Sequence, residues 1–166
     1  MEKRFYIAYG SNLHIQQMKQ RCPEAELYDT GMIENYELQF KCTSTGAFAT
    51  IGPREGAAVP VAVWKISERD EKYLDRYEGF PHHYLKEDIG VKMKNGVLRG
   101  MVYRMPQECQ FGIPSPRYYR VVRQGYEDCG FDINILDRAV DESSDRFWEK
   151  QIEEVEEAPS GGMKLQ

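Results

Sequence analysis

Asn95-Gly96 stands between two β-type runs, Tyr84 to Lys94 and Val97 to Met105, and most restricts what this chain can become. Asn-Gly supplies the positive φ angles of a type I′ turn, so the two runs are expected to form an antiparallel hairpin. No regular βαβ alternation surrounds it, which argues against a parallel doubly wound sheet. Further strands are expected over Phe5–Tyr9, Tyr28–Cys42 (extended structure broken by turns), Phe48–Ile51 and Val59–Ile66. Gly52-Pro53 reads as a strand breaker, and Pro60 confines its strand to an edge or a bulge.

Helices are expected after Asn12, where Leu13, Ile15 and Met18 suit a helical face, and after Ser67, an N-cap followed by Glu68, Asp70 and Glu71. That second helix ends at Gly79, with Pro81 just beyond. Ser115-Pro116 starts a third, and a fourth helical stretch runs from about Ile133 towards Glu157. About six strands with interspersed helices make an α+β protein, with the sheet closed into a small mixed barrel. The 166 residues, 41% hydrophobic and 12% aromatic, suit one globular domain over residues 1–157. Residues 158–166, containing Pro159-Ser160-Gly161-Gly162, read as a flexible tail.

The net charge of −5 is concentrated near the C-terminus, where residues 141–157 hold eight acids against Arg146 and Lys150. Removing these from the totals of 27 acids and 22 bases leaves 19 against 20. A nucleic-acid partner, which requires a clustered basic face, is therefore not expected. Nor is a membrane partner: no apolar run reaches spanning length, the N-terminus is too short for a signal peptide, and a cytoplasmic protein is expected. Phe147, Trp148, Ile152 and Val155 give the acidic helix an apolar side that could pack on its own barrel or on that of a second copy, so a homodimer stays open. Cys22, Cys42, Cys109 and Cys129 are widely separated and read as reduced, mostly buried thiols.

Two segments carry candidate chemistry. In Tyr9-Gly10-Ser11-Asn12, Gly10 permits a tight bend after a strand, and the amides of residues 10–13 would face forward at a helix start, where they suit a carboxylate or an oxyanion. An ordinary turn that caps its helix fits the same letters. In Tyr77-Glu78-Gly79-Phe80-Pro81, a carboxylate ends a helix among Tyr77, Phe80 and Tyr84. Apolar neighbours and the helix dipole both oppose its ionisation, which would make Glu78 a usable base near neutral pH. Ser11 with His14 could be read as a nucleophile and its base, and His82-His83 as metal ligands, although no third ligand is apparent. Neither a phosphate loop nor a dinucleotide fingerprint is present, so no cofactor and no metal are expected.

In their order along the chain, Tyr6-Ile7-Ala8-Tyr9-Gly10-Ser11-Asn12-Leu13, Phe48-Ala49-Thr50-Ile51, Val63-Trp64-Lys65-Ile66, Leu74-Asp75-Arg76-Tyr77-Glu78-Gly79, Val102-Tyr103 and Pro114-Ser115-Pro116-Arg117-Tyr118 resemble the γ-glutamyl cyclotransferase family. The family is taken in its broad sense, including enzymes that remove γ-glutamyl caps from natural-product intermediates. The resemblance runs from about residue 5 to about residue 130. It implies a small mixed barrel flanked by helices, and a small-molecule γ-glutamyl substrate held by Tyr6, Ile7, Ala8, Tyr9, Gly10, Ser11 and Asn12. It also implies a proton shuttle at Glu78 and pocket-lining tyrosines at Tyr103 and Tyr118. The implied reaction converts a γ-glutamyl amide to 5-oxoproline and a free amine. The residues Phe80-Pro81-His82-His83 vary between subfamilies and leave the leaving group open. A binding module without turnover, and a hydrolase using Ser11 with His14, are the alternatives.

Overall fold

The computed structural model describes residues 3–158, so the expected tail lies outside the described residues apart from Ala158. Five strands form one closed barrel in the order β1-β3-β2-β4-β5. β1 (Arg4–Ala8) pairs antiparallel with β3 (Gly46–Ile66), from Arg4 with Ile66 to Ala8 with Ala62. On its other side β1 meets β5 (Gly96–Arg104) in a parallel contact of Tyr6 with Met101, and this closes the ring.

The strand count is five where about six were expected, because Gly52-Pro53 does not end a strand. β2 (Glu26–Thr43) and β3 are single long strands, paired from Glu26 with Lys65 to Thr43 with Gly46. Pro53 lies opposite Tyr36 and Pro60 opposite Met32, while β1 pairs with β3 only from Ala62 onward. Both prolines thus sit where β3 has a neighbour on one side. A strand of that kind has N–H groups directed outward, and there proline costs no ladder bond. The break is absorbed as a bulge. Asn35, at φ 64°, alone faces residues 54–57, and its Oδ1 accepts the Gly56 N–H at 3.0 Å.

β4 (Leu85–Met93) and β5 form the expected hairpin, paired from Leu85 with Arg104 to Met93 with Gly96. The expected type I′ turn on Asn95-Gly96 is not made. Gly96 (φ 124°) takes the last ladder position, which places Lys94 and Asn95 in the turn, and among the described residues Asn35 is the only non-glycine with positive φ.

The first helical stretch divides into a 3-10 turn, Ser11–Leu13, and α1, Ile15–Arg21. α2 (Glu68–Glu78) starts and stops where its sequence signals stand. Ser67 Oγ accepts the Asp70 N–H at 3.1 Å, Asp70 Oδ2 accepts the Ser67 N–H at 3.2 Å, and Gly79 terminates the helix at φ 66°. α3 (Pro116–Cys129) and α4 (Ile133–Glu157) also lie within the expected segments. α4 anchors to β2: Ser143 is buried and its Oγ accepts the Phe40 N–H at 3.0 Å. Trp148, Ile152 and Val155 stay exposed, so they do not pack on the barrel of their own chain. No described helix is long and apolar enough to cross a membrane.

Ser67 Oγ also donates to Glu24 Oε1 at 2.8 Å, tying the start of α2 to the segment before β2. Ser67→Ala removes both bonds and is expected to destabilise the fold by about 1–2 kcal/mol, read as a lower urea midpoint at unchanged slope.

Candidate active site

Directly after β1, the chain bends at Gly10 into the 3-10 turn. A Cβ on Gly10 would stand 3.1 Å from the Ala49 Cβ and 3.3 Å from the Tyr118 hydroxyl, so any side chain there would press on both. The first backbone bonds of the turn are Leu13 N–H to Gly10 O and His14 N–H to Ser11 O, both 3.1 Å. The amides of Ser11 and Asn12 precede these bonds and have no acceptor within the turn. Leu13, expected among the forward-facing amides, spends its N–H internally and is fully buried. α3 braces the turn from behind: a Cβ on Gly125 would lie 2.5 Å from the Leu13 Cβ, so the two backbones touch. Asp128 Oδ2 accepts the Ile15 N–H at 3.1 Å, and the Cys129 thiol donates to Leu13 O.

The turn forms one wall of a cavity of about 460 Å³, and the end of α2 forms the facing wall. Glu78 is the only acid lining it among the described residues, and its carboxylate accepts no hydrogen bond from any of them. Burial lifts this carboxyl from an ordinary 4.5 to about 7, while the Arg21 guanidinium pulls the other way. As a whole residue Glu78 is only partly buried, and it lines the cavity.

Six tyrosines line this cavity; Tyr77 pairs with Ser11, and the hydrogen bonds of the other five divide them. Tyr9 donates to Tyr103 O at 2.7 Å, Tyr84 to Ala49 O at 2.7 Å, and Tyr103 to Asp75 Oδ1 at 2.5 Å. These three hydroxyls are committed to the protein. Tyr6 accepts from Asn12 Nδ2 at 3.0 Å, and Tyr118 accepts the Ala49 N–H at 3.1 Å. Each of these two keeps its own proton available to the cavity. Burial raises the pKa of both, so they stay neutral donors at physiological pH.

The structure therefore assembles Tyr6, Tyr9, Gly10, Ser11, Asn12, Glu78, Tyr103 and Tyr118 around one space. Ile7 and Ala8 do not line it. Both are buried in the core, and Ile7 packs against the backbone of Gly100. The aromatic setting of Glu78 also differs from the expected one: Phe80 does not line the cavity and lies under the Lys86 ammonium, 4.5 Å from its ring centre. Ser11 and His14 form no nucleophile–base pair. Ser11 Oγ bonds Tyr77 OH at 3.1 Å, whereas His14 Nδ1 accepts the Gln17 N–H at 3.2 Å as the cap of α1. His83 lines the cavity and His82 does not, and no metal-holding group of three His, Cys, Asp or Glu occurs among the described residues. All four cysteines are free, one buried and three partly so.

Sequence reasoning missed Arg21, Arg76 and the Thr43 and Thr45 hydroxyls at the tip of the β2–β3 hairpin. Nothing in the spacing of Arg21, Thr43 and Thr45 marks them, because each reaches the site through the fold, whereas Arg76 stands on α2 two residues before Glu78.

Residues 6–121 match the sequence model of the γ-glutamyl cyclotransferase, AIG2-like family. The chain belongs to this family. Among γ-glutamyl cyclotransferase relatives, it is 27% identical to the bovine γ-glutamylcyclotransferase, over 94% of this chain and 87% of that one. Identity to the human γ-glutamylcyclotransferase is 25%, again over 94% and 87%. A solved γ-glutamyl cyclotransferase structure superposes with a TM-score of 0.75 at 25% identity, covering 83% of this chain and 86% of that one. The family is one of enzymes, and the five-stranded barrel flanked by helices is its fold.

Between pH 4.5 and about 7 the folded Glu78 carboxyl binds a proton that the unfolded one has released. Its contribution to stability is thus fully present below the lower value and lost as pH rises through the upper one. Glu78→Gln removes that loss. At pH 8 the variant is expected to be more stable than wild type by roughly 1–3 kcal/mol, with the difference vanishing towards pH 4, as paired urea titrations would read.

Proposed function

We propose that this chain is a γ-glutamyl cyclotransferase that converts a small γ-glutamyl amide to 5-oxoproline and a free amine, with Glu78 moving the proton. The observation that carries this reading is the Glu78 carboxylate, without a hydrogen-bond partner among the described residues, lifted by burial to about 7 and lining one cavity with Gly10, Ser11 and Asn12 of the turn.

The glutamyl end lies against the turn, where the amides of Ser11 and Asn12 and the hydroxyl protons of Tyr6 and Tyr118 offer donors to its oxygens. Glu78 accepts a proton from the α-ammonium. The freed amine then attacks the γ-carbonyl of the same molecule, forming the C–N bond of a five-membered ring. The ring nitrogen of the tetrahedral intermediate still carries two protons. The bond to the leaving nitrogen breaks as that nitrogen takes the proton back from Glu78. The carboxylate so restored takes the ring nitrogen's second proton and passes it to the departing amine, which leaves as an ammonium. No atom of the protein is bonded to the substrate, and the two protein-bound states of Glu78 differ by one proton. Because nucleophile and electrophile belong to one molecule, holding it folded provides much of the rate. A carboxyl near 7 suits both halves of the transfer, since it is a stronger base than an ordinary glutamate and still a competent acid.

The test is incubation of purified protein with a panel of γ-glutamyl amino acids and γ-glutamyl amines, with products identified by mass spectrometry. Release of 5-oxoproline is expected, and release of free glutamate would mean hydrolysis and sink the proposal. Glu78→Gln should lower kcat by about 10²-fold or more. The wild-type rate should rise with pH along a limb centred near 7, where the Glu78 carboxyl titrates. Full activity in the variant would also refute the reading.

A further inference from the structure

Arg21 ends α1 and does not line the cavity, yet three of its surroundings do. Its Nη1 donates to Asn12 Oδ1 at 2.5 Å, its guanidinium carbon lies 3.7 Å from the centre of the Tyr77 ring, and its charge acts on Glu78. Among the described residues it forms no ion pair of its own. We propose that Arg21 is a positioning residue, which orients Asn12 and Tyr6 towards the substrate from behind the turn and supplies the positive charge that faces Glu78. This proposal rests on the cyclotransferase reading and assigns to that site a residue outside the cavity.

The orientation follows from donor chemistry. A guanidinium only donates, so the Asn12 oxygen must face Arg21 and the Asn12 nitrogen must face Tyr6. Asn12 Nδ2 then donates to the Tyr6 hydroxyl at 3.0 Å, which leaves the Tyr6 proton directed at the cavity. Without Arg21 the buried Asn12 amide is free to turn over and accept that proton, withdrawing it from the substrate. The stack on Tyr77 holds the guanidinium flat, and Tyr77 in turn bonds Ser11. One cation thus braces two adjacent residues of the turn.

Its charge has a second effect. The tyrosines that face Glu78 are Tyr6 of β1, Tyr9 just after it, Tyr118 of α3 and Tyr84 before β4, and burial keeps all four neutral. Tyr77 and Arg76 of α2, Tyr103 of β5, and His83 also line the cavity. Arg21 is the cation that opposes the effect of burial on the Glu78 carboxyl, so removing it should raise that carboxyl further above 7.

The experiment compares wild type, Arg21→Gln and Arg21→Lys on one γ-glutamyl substrate across pH. Arg21→Gln is expected to lower kcat at neutral pH by about tenfold and to move the acid limb upward by about one unit. Arg21→Lys keeps the charge but loses the flat stack, so its limb should stay near the wild-type position while kcat falls several-fold. An Arg21→Gln limb that coincides with wild type overturns the proposal, as does an Arg21→Lys enzyme with wild-type kcat. Should Arg21→Gln not fold, the lysine variant decides through the same two readouts. Should wild type release no 5-oxoproline, the activity reading fails by itself. The Glu78 titration, followed by carboxyl-carbon NMR in wild type and the variants, then tests Arg21 without turnover.

Discussion

β1 is five residues long, yet it bonds β3 along one edge and meets β5 on the other, and the barrel closes through it. The closure depends on an approach so tight that a Cβ on Gly100 would lie 2.7 Å from Ile7 Cδ1 and 3.1 Å from Phe5 O. Glycine at this position lets β5 lie against β1. The buried Ile7 side chain fills the space that results, which explains why a residue beside the turn belongs to the core and not to the site. The turn leaves β1 at the barrel's end, so its position is only as well defined as that closure.

What stands at the barrel's end is held from three sides. α3 presses its Gly125 backbone on the back of the turn, α1 reaches forward with Arg21, and the end of α2 places Glu78 opposite. The burial of the Glu78 carboxylate makes its charged form unfavourable, and among the described residues no hydrogen bond relieves it. A buried group that weakens the fold is a mark of a candidate functional site, and Glu78 is such a group. The neighbouring polar groups show the contrast: Tyr9, Tyr84 and Tyr103 have each found a protein acceptor, whereas Tyr6 and Tyr118 retain a free proton beside Glu78.

Much of the fold and part of the site could be read along the chain. The ends of α2 were legible because Ser67, Asp70 and Gly79 act on backbone groups within a few residues of themselves. The β4–β5 hairpin was legible for the same reason, although its turn fell one residue early. The long β2–β3 pair was not, because whether Gly52-Pro53 breaks a strand depends on which neighbours that strand has, and these come from elsewhere in the chain. At the candidate site, Glu78 and the turn could be singled out from local context, while Arg21 lay nine residues beyond Asn12 without any local mark.

The sequence by itself determined the residue types that meet at the cavity: a glycine where the chain bends, an acid at a helix end, and tyrosines enough to enclose it. Their effects on nearby backbone are short-range, so neighbouring letters suffice to reveal them. Only the tertiary structure decided which tyrosines keep a proton for the cavity, that Ser11 bonds Tyr77 and not His14, and that Arg21 stands behind Asn12. Hydrogen-bond partners and buried charges depend on distances between segments far apart in sequence, and those distances exist only once the barrel has closed.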